Sequence, residues 1–398
     1  MRRMAPKERS RAPSVRGILD WELSCALRIV LLGLVMAIPV GYVFGHYSSQ
    51  TGFTSLILFG ADAQPQPMPE LKACHPAVMP GVGYDGEFYA QVAIDPTLRN
   101  PHLKDGIAYP ECCSTRILLP VLAYVGGGGN PWRILQVFAV LNLLFWLLLL
   151  FGMVHYLSPQ TVREYLCVVA AVLTSGAMFS VARSLTDLPA ATLAFYSAAF
   201  CGSAAVAAMA LALLTKETYL LSLPRLMGPV NQDRRAIGAM AAQLAVAVLP
   251  LAVWYTYTHL HFGFRKFDAP NTRWPGAGLV DYLGRAWRHW YPNRIFSPRL
   301  SQELLAPLSL LVQVGYLLWR RDYKSPYWRM GIGFAIGFLL LSPDVFIDQY
   351  SFTRDVIPLT LAFNIGLMKE KRAGFLLWFI AGNVGLLSGT REMLLFLK

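Results

Sequence analysis

Long apolar runs constrain this chain more than any other feature. A helix rises 1.5 Å per residue, so about 20 apolar residues cross the roughly 30 Å hydrocarbon core of a bilayer. Runs of this kind are read at Cys25–Phe44, Trp132–Leu157, Tyr165–Val181 and Ala236–Tyr257, with shorter ones at Leu304–Leu318, Met330–Leu341, Asp355–Met368 and Phe375–Leu387. The short runs need flanking residues or local bilayer thinning to complete a crossing. A 37-residue apolar segment, Leu188–Pro224, is interrupted by Lys216-Glu217-Thr218. It is too long for one span and fits one crossing plus a short re-entrant piece. The expected fold is an all-α polytopic membrane protein, a bundle of roughly nine to eleven transmembrane helices. Composition agrees: 55% of the 398 residues are apolar and 15% charged, against about 25% charged in a soluble domain. Intrinsic disorder is excluded.

The formal charge of +12 has two readings. In a soluble chain it would point to nucleic acid, yet no RNP, zinc-finger or helix-turn-helix signature accompanies it. In a membrane protein it is the cytoplasmic bias of Lys and Arg. The second reading is adopted, with the lipid bilayer as partner and no nucleic acid. Residues 1–24 are then a basic cytoplasmic N-terminus, bearing Arg2, Arg3, Lys7, Arg9, Arg11 and Arg16. Residues 25–398 form one transmembrane domain, and the first span is a retained signal anchor. Alternation places the large loop 46–115 outside, with seven acids and three bases. The segment around Arg225, Arg234 and Arg235, the stretch Arg320–Arg329, and Lys369-Glu370-Lys371-Arg372 fall inside. The loop 261–302 falls outside although it holds seven bases against two acids. Either the span count is off there, or the loop is basic for a reason of its own, such as attracting anionic lipid or glycan. Cys74, Cys112 and Cys113 share the outer loop, where a bridge from Cys74 to one of the vicinal pair is open.

The run Gly83-Tyr84-Asp85-Gly86-Glu87-Phe88-Tyr89, continuing to Asp95-Pro96, carries the most chemistry. Asp85 and Glu87 flank a glycine that allows close backbone approach, so in an extended or turn conformation both approach one ligand. Tyr84, Phe88 and Tyr89 surround them, which suits a sugar or lipid headgroup. An interfacial aromatic belt with incidental acids is the competing reading. Gly126–Gly129 lacks the GK[ST] of a phosphate-cradling loop and reads as a break before a helix.

This run resembles the GYDGQFY…DP signature of a family of bacterial integral-membrane proteins of cell-surface glycopolymer formation, within the GT-C-type glycosyltransferase superfamily. Four further segments are similar to that family's elements and follow in its order. They are Arg116-Ile117-Leu118-Leu119-Pro120, Thr186-Asp187-Leu188-Pro189-Ala190, Leu214-Thr215-Lys216-Glu217-Thr218 and Arg354-Asp355-Val356-Ile357-Pro358-Leu359. Glu87 departs from the family, which has glutamine there, and so adds a carboxylate.

The resemblance implies a GT-C-like bundle in the bacterial inner membrane, with an outer-face site in loop 46–115. It implies a polyprenyl-phosphate sugar donor and a cell-envelope glycan or glycolipid acceptor. Asp85 matches the position of the base or metal ligand, with Glu87 beside it. The resemblance fixes no cofactor, and a divalent ion held by Asp85 and Glu87 is the one the acid pair allows. Tyr84, Tyr89, Arg116, Asp187, Lys216, Glu217 and Arg354 are the substrate-binding candidates, with Arg116, Lys216 and Arg354 facing phosphate. Each has a plainer reading. Arg116 snorkels at a helix end, Lys216 and Glu217 pair with Asp187 or Arg183, and Arg354 pairs with its neighbour Asp355. A transporter or flippase, or a non-catalytic assembly protein for lipid-linked glycans, is the alternative function. Such transporters show internal repeats, which this sequence lacks.

Overall fold

The computed structural model describes residues 19–227, 234–263, 272–293, 298–370, 374–387, 390–391 and 393–394. The basic residues Arg2 to Arg16 lie outside the described residues, as do Arg265, Lys266, Arg294, Lys371 and Arg372. The chain is helical: α1 (Cys25–Gly45), α2 (Gly86–Ile94), α3 (Leu118–Gly127), α4 (Pro131–Leu157), α5 (Val162–Val172), α6 (Ser175–Arg183), α7 (Asp187–Ala199), α8 (Gly202–Thr215), α9 (Arg234–Phe262), α10 (Ala277–Asn293), α11 (Pro298–Arg320), α12 (Pro326–Leu340), α13 (Gln349–Asp355), α14 (Ile357–Met368) and α15 (Phe375–Asn383). A 3₁₀ helix spans Glu217–Arg225. Strands β1 (Phe59–Gly60) and β2 (Val78–Met79) pair in parallel within the loop after α1.

Three helices among the described residues are long and apolar enough to cross a membrane: Cys25–Gly45, Pro131–Leu157 and Arg235–Phe262. The number rises to four if α5 and α6, bent by 43°, count as one span. This is fewer than the nine to eleven expected. Most other apolar segments are short: α7 has 13 residues, α8 14, α12 15, α14 12 and α15 9, while α11 is long enough at 23 but is amphipathic and broken by Pro307. At 1.5 Å per residue the five short helices reach only about 14 to 22 Å. Only 22% of the apolar window of α1 and 11% of that of α9 is buried, leaving Leu34, Val246, Leu249 and Val253 uncovered. Apolar faces of this extent are a liability in water and fit a lipid environment.

Contacts sort the helix ends into two groups. At one end, Val162 N–H donates to the Trp21 carbonyl, Arg163 pairs with Asp20 at 3.2 Å, and Arg320 pairs with Glu370 at 3.3 Å. At the other, Phe53 N–H donates to Gln136 Oε1, and Trp254 and Tyr257 of α9 donate to the carbonyls of Ser114 and Thr97. We call the second the loop end. The segment 188–224 is not one crossing with a re-entrant piece. It is three short antiparallel legs, α7, α8 and the 3₁₀ helix. It starts at the loop end with Asp187, and at the far end Arg225 donates to the Ser197 and Phe200 carbonyls. The interruption at Lys216 is thus a corner. The bases of 272–293 fall largely on amphipathic α10, whose Tyr282 is buried against Phe346 and Phe352 while Trp287 is exposed.

The break between α5 and α6 frees backbone carbonyls that no water could satisfy inside apolar packing. Each finds a donor. Trp146 Nε1 donates to the Val172 carbonyl at 2.8 Å, and Thr390 Oγ1 to that of Leu173 at 2.7 Å. Thr174 restarts the helix by accepting from Ala177 N–H. A second polar seam joins α11, α14 and α15: Asn364 and Asn383 donate to each other, and Gln313 links Thr360 to the Gly382 carbonyl. Such interhelical bonds fix register where lipid-like packing alone does not. Trp146→Phe orphans the Val172 carbonyl and leaves a void where the second ring of the buried indole sat, so a loss of at least about 1–3 kcal/mol is expected in unfolding of the purified protein in detergent.

Candidate functional site

The five sequence segments singled out above end at the same place. Asp85 lies just before α2, Arg116 just before α3, and Asp187 opens α7. Lys216 caps the C-terminus of α8, Glu217 opens the 3₁₀ helix, and Arg354-Asp355 closes α13. Acids and bases alternate through this junction. Arg354 Nη2 donates to Asp85 Oδ2 at 2.9 Å, and Arg354 Nη1 lies 4.0 Å from Asp187 Oδ2. Lys216 Nζ bridges Asp187 and Asp355. Beside this chain, Arg116 grips Glu217 with two hydrogen bonds, Nε to Oε2 at 3.2 Å and Nη2 to Oε1 at 2.9 Å, and also donates to the Tyr89 hydroxyl.

Burial is graded across the network. Lys216 and Asp187 side chains are 5% and 3% exposed, whereas Asp355 is 24% and Asp85 40%. A buried ammonium facing two carboxylates is an anchor; Asp85 is the most exposed acid of the network. An aromatic wall stands beside it. The Arg354 guanidinium lies over the Tyr84 ring at 5.2 Å, Tyr84 meets Phe179 edge-on at 5.3 Å, and Phe179 stacks on Tyr350 at 4.8 Å. Burial pushes the Tyr84 phenol up to about 12, so it stays a neutral donor.

Glu87 does not join Asp85. The chain is helical from Asp85 onward, with φ −49° and ψ −29° there, and residues two apart on a helix do not share a face. Glu87 is 1% exposed and accepts from Gly60 N–H at 3.1 Å, which ties α2 to β1. Burial raises its carboxyl to about 7, with the Gly60 bond opposing and Asp85 adding a little. Gly86 meets backbone rather than ligand: a Cβ there would collide with the Arg183 carbonyl.

The plainer readings are sorted the same way. Arg116 is held by Glu217 and Tyr89 rather than snorkelling, Lys216 does pair with Asp187, and Arg354 turns away from its neighbour Asp355. Asp355 itself was seen only as that neighbour, and as the second anchor of Lys216 it is the acid that sequence reasoning missed. Phe179 and Tyr350 carry no sequence signal. No disulfide joins Cys74 to Cys112 or Cys113, and Cys74 Sγ donates to the Glu70 carbonyl instead.

A resident divalent ion fits poorly. Such ions take six or more oxygens, whereas the carboxylates of Asp85, Asp187 and Asp355 are engaged by Arg354 and Lys216, and Glu87 faces elsewhere. Among the described residues no group of three or more His, Cys, Asp or Glu side chains could hold a metal. A cavity of about 750 Å³ opens nearby in the loop region, bounded by Gln64, Lys104, Asp105, Tyr109 and Phe262; it shares no residue with the network.

Two outcomes test this geometry. Lys216→Met leaves Asp187 buried without its ammonium, and about 3–5 kcal/mol of stability should be lost in chemical unfolding, with Asp187→Asn on the same background restoring part of it. The second concerns pH. Unfolded glutamate titrates near 4.5, folded Glu87 near 7. Between these values the folded state keeps a proton the unfolded state has released, so stability falls as pH rises through that window and levels above it. Glu87→Gln should flatten this slope and raise stability above pH 7 by up to about 3 kcal/mol, read from unfolding at a series of pH values. Searches against known proteins return no matching family model, curated protein or solved structure.

Proposed function

We propose that this chain is a GT-C-type membrane glycosyltransferase, transferring a sugar from a polyprenyl-phosphate-linked donor to a cell-envelope glycan or glycolipid acceptor. The loop end is read as the outer face of a bacterial inner membrane. One observation carries the reading: each of the five segments that resemble the glycopolymer family supplies a member of the charge network, although they span Asp85 to Asp355 in sequence.

The network is suited to the reaction. An acceptor hydroxyl attacks the anomeric carbon, its O–H proton passes to Asp85, and the bond from that carbon to the phosphate oxygen breaks with its electron pair left on the phosphate. Asp85 is the exposed acid, held in place by Arg354 rather than by a metal. The phosphate gains negative charge as it leaves, which preorganised cations stabilise. Arg354 is the cation nearest the base. Its Nε donates to no acceptor among the described residues, and Arg116 stands beside it in the same junction. Tyr84 and its aromatic neighbours offer apolar faces against which a sugar ring can lie. Glu87 belongs to the scaffold in this reading.

The test compares two carboxylates on purified protein in lipid, with a panel of labelled polyprenyl-phosphate sugars. Asp85→Asn should lower turnover by about 10²–10⁴ with donor binding retained, whereas Glu87→Gln should turn over like wild type. Equal turnover in wild type and Asp85→Asn would remove Asp85 from the chemistry. Movement of the lipid-linked sugar across vesicles without bond cleavage would favour the transporter reading.

A further inference from the structure

A second charged site lies at the end of the molecule opposite the network. Helices α11 and α12 are joined there by the turn 321–325, and a cavity of about 570 Å³ opens between this turn and the C-terminal end of α14. Arg321 and Lys324 reach it from the turn, and Lys369 from just past the end of α14. Asp322 is the one acid in its lining, and the fourth lining cation, Arg320, is already paired with Glu370. Three cations therefore face the cavity against one carboxylate.

The turn is built rather than loose. Arg329 Nη1 donates to the carbonyls of Tyr323 and Lys324 at 2.6 and 3.1 Å. Trp328 Nε1 donates back to the Leu317 carbonyl at 2.9 Å, and its ring meets Tyr323 edge-on at 4.9 Å. Arg321 holds a left-handed backbone, φ 44°, with its Nε on the Leu318 carbonyl. Two cationic side chains on a five-residue turn, with a third across from them, leave the lining with a net positive charge that an anion can neutralise. Snorkelling alone would send each ammonium outward along its own helix and would not need a clamped turn or a concave wall of Tyr316 and Trp328.

We propose that this cavity binds a phosphate-bearing anion, whose source is either the headgroup of an anionic lipid or a soluble phosphate. Its place among helix ends, at the end that the basic segments mark, fits a headgroup whose acyl chains run along the uncovered face of α11, where Leu305, Leu308 and Leu318 are exposed. The proposal is independent of sugar transfer and of Asp85.

The experiment uses the full chain, delipidated in neutral detergent, and reads thermal unfolding on titration with dioctanoyl phosphatidylglycerol, dioctanoyl phosphatidylcholine and inorganic phosphate. Wild type should be stabilised by phosphatidylglycerol and not by phosphatidylcholine, and Lys324→Gln with Lys369→Gln should weaken apparent affinity about 30-fold. Stabilisation by inorganic phosphate equal to that by phosphatidylglycerol, and lost in the double variant, assigns the site to a soluble phosphate. Equal response to both lipids, no response to any probe, or an unchanged response in a double variant that unfolds at the wild-type temperature, overturns the proposal.

Discussion

The ammonium of Lys216 sits between two carboxylates in the interior, and the geometry of the rest of the site follows from it. An ionised group taken out of water is tolerated only with partners of opposite charge in contact. Those partners come from two different helix ends, Asp187 at the start of α7 and Asp355 at the end of α13. The corner at Lys216 cannot move without uncovering both. Arg354, next to Asp355 in sequence, is thereby aimed at Asp85 from a fixed point, and the exposed acid inherits its position from the buried one.

Helix ends make this arrangement cheaper. Lys216 follows the C-terminus of α8, Arg354 is in the last turn of α13, and Asp187 and Glu217 lie in first turns. Each of these charges has the sign its helix end favours. Asp355 does not, since it closes α13 at the negative end. It is also more exposed than Asp187, so water takes part of the charge that the helix cannot. The glycines that let these ends converge are packing devices. Gly176 of α6 touches the Thr353 carbonyl so closely that a Cβ would collide with it, which brings α13 and its Arg354 within reach of Asp85.

Much of the site was legible because ionisable residues are scarce in apolar sequence. Lys216-Glu217 inside a 37-residue run needed partners, and adjacent residues on one helix could not serve each other. What was not legible was direction. Asp85 and Glu87 read alike as acids two apart, and only the helical start of α2 sends one to Arg354 and the other to Gly60. Likewise Arg354 and Asp355 read as a local pair until α13 separates them. Span number was over-read for a related reason. Apolar length in sequence does not reveal corners, and Leu188–Pro224 folds at Phe200 and Lys216 into legs that each reach about 20 Å.

Those short legs have a consequence for access. Helix α4 is 27 residues long, about 40 Å, and Ser184 touches it at the Ala139 carbonyl. Some eight residues of α4, or about 12 Å, continue beyond that level toward the loop end. The corners bearing Asp187 and Lys216 therefore lie about 12 Å below the loop-end tip of α4, and both side chains are nearly closed to solvent. If the proposed transfer takes place at Asp85, the reacting head must pass below that tip, and a long hydrocarbon tail has to stay outside the bundle.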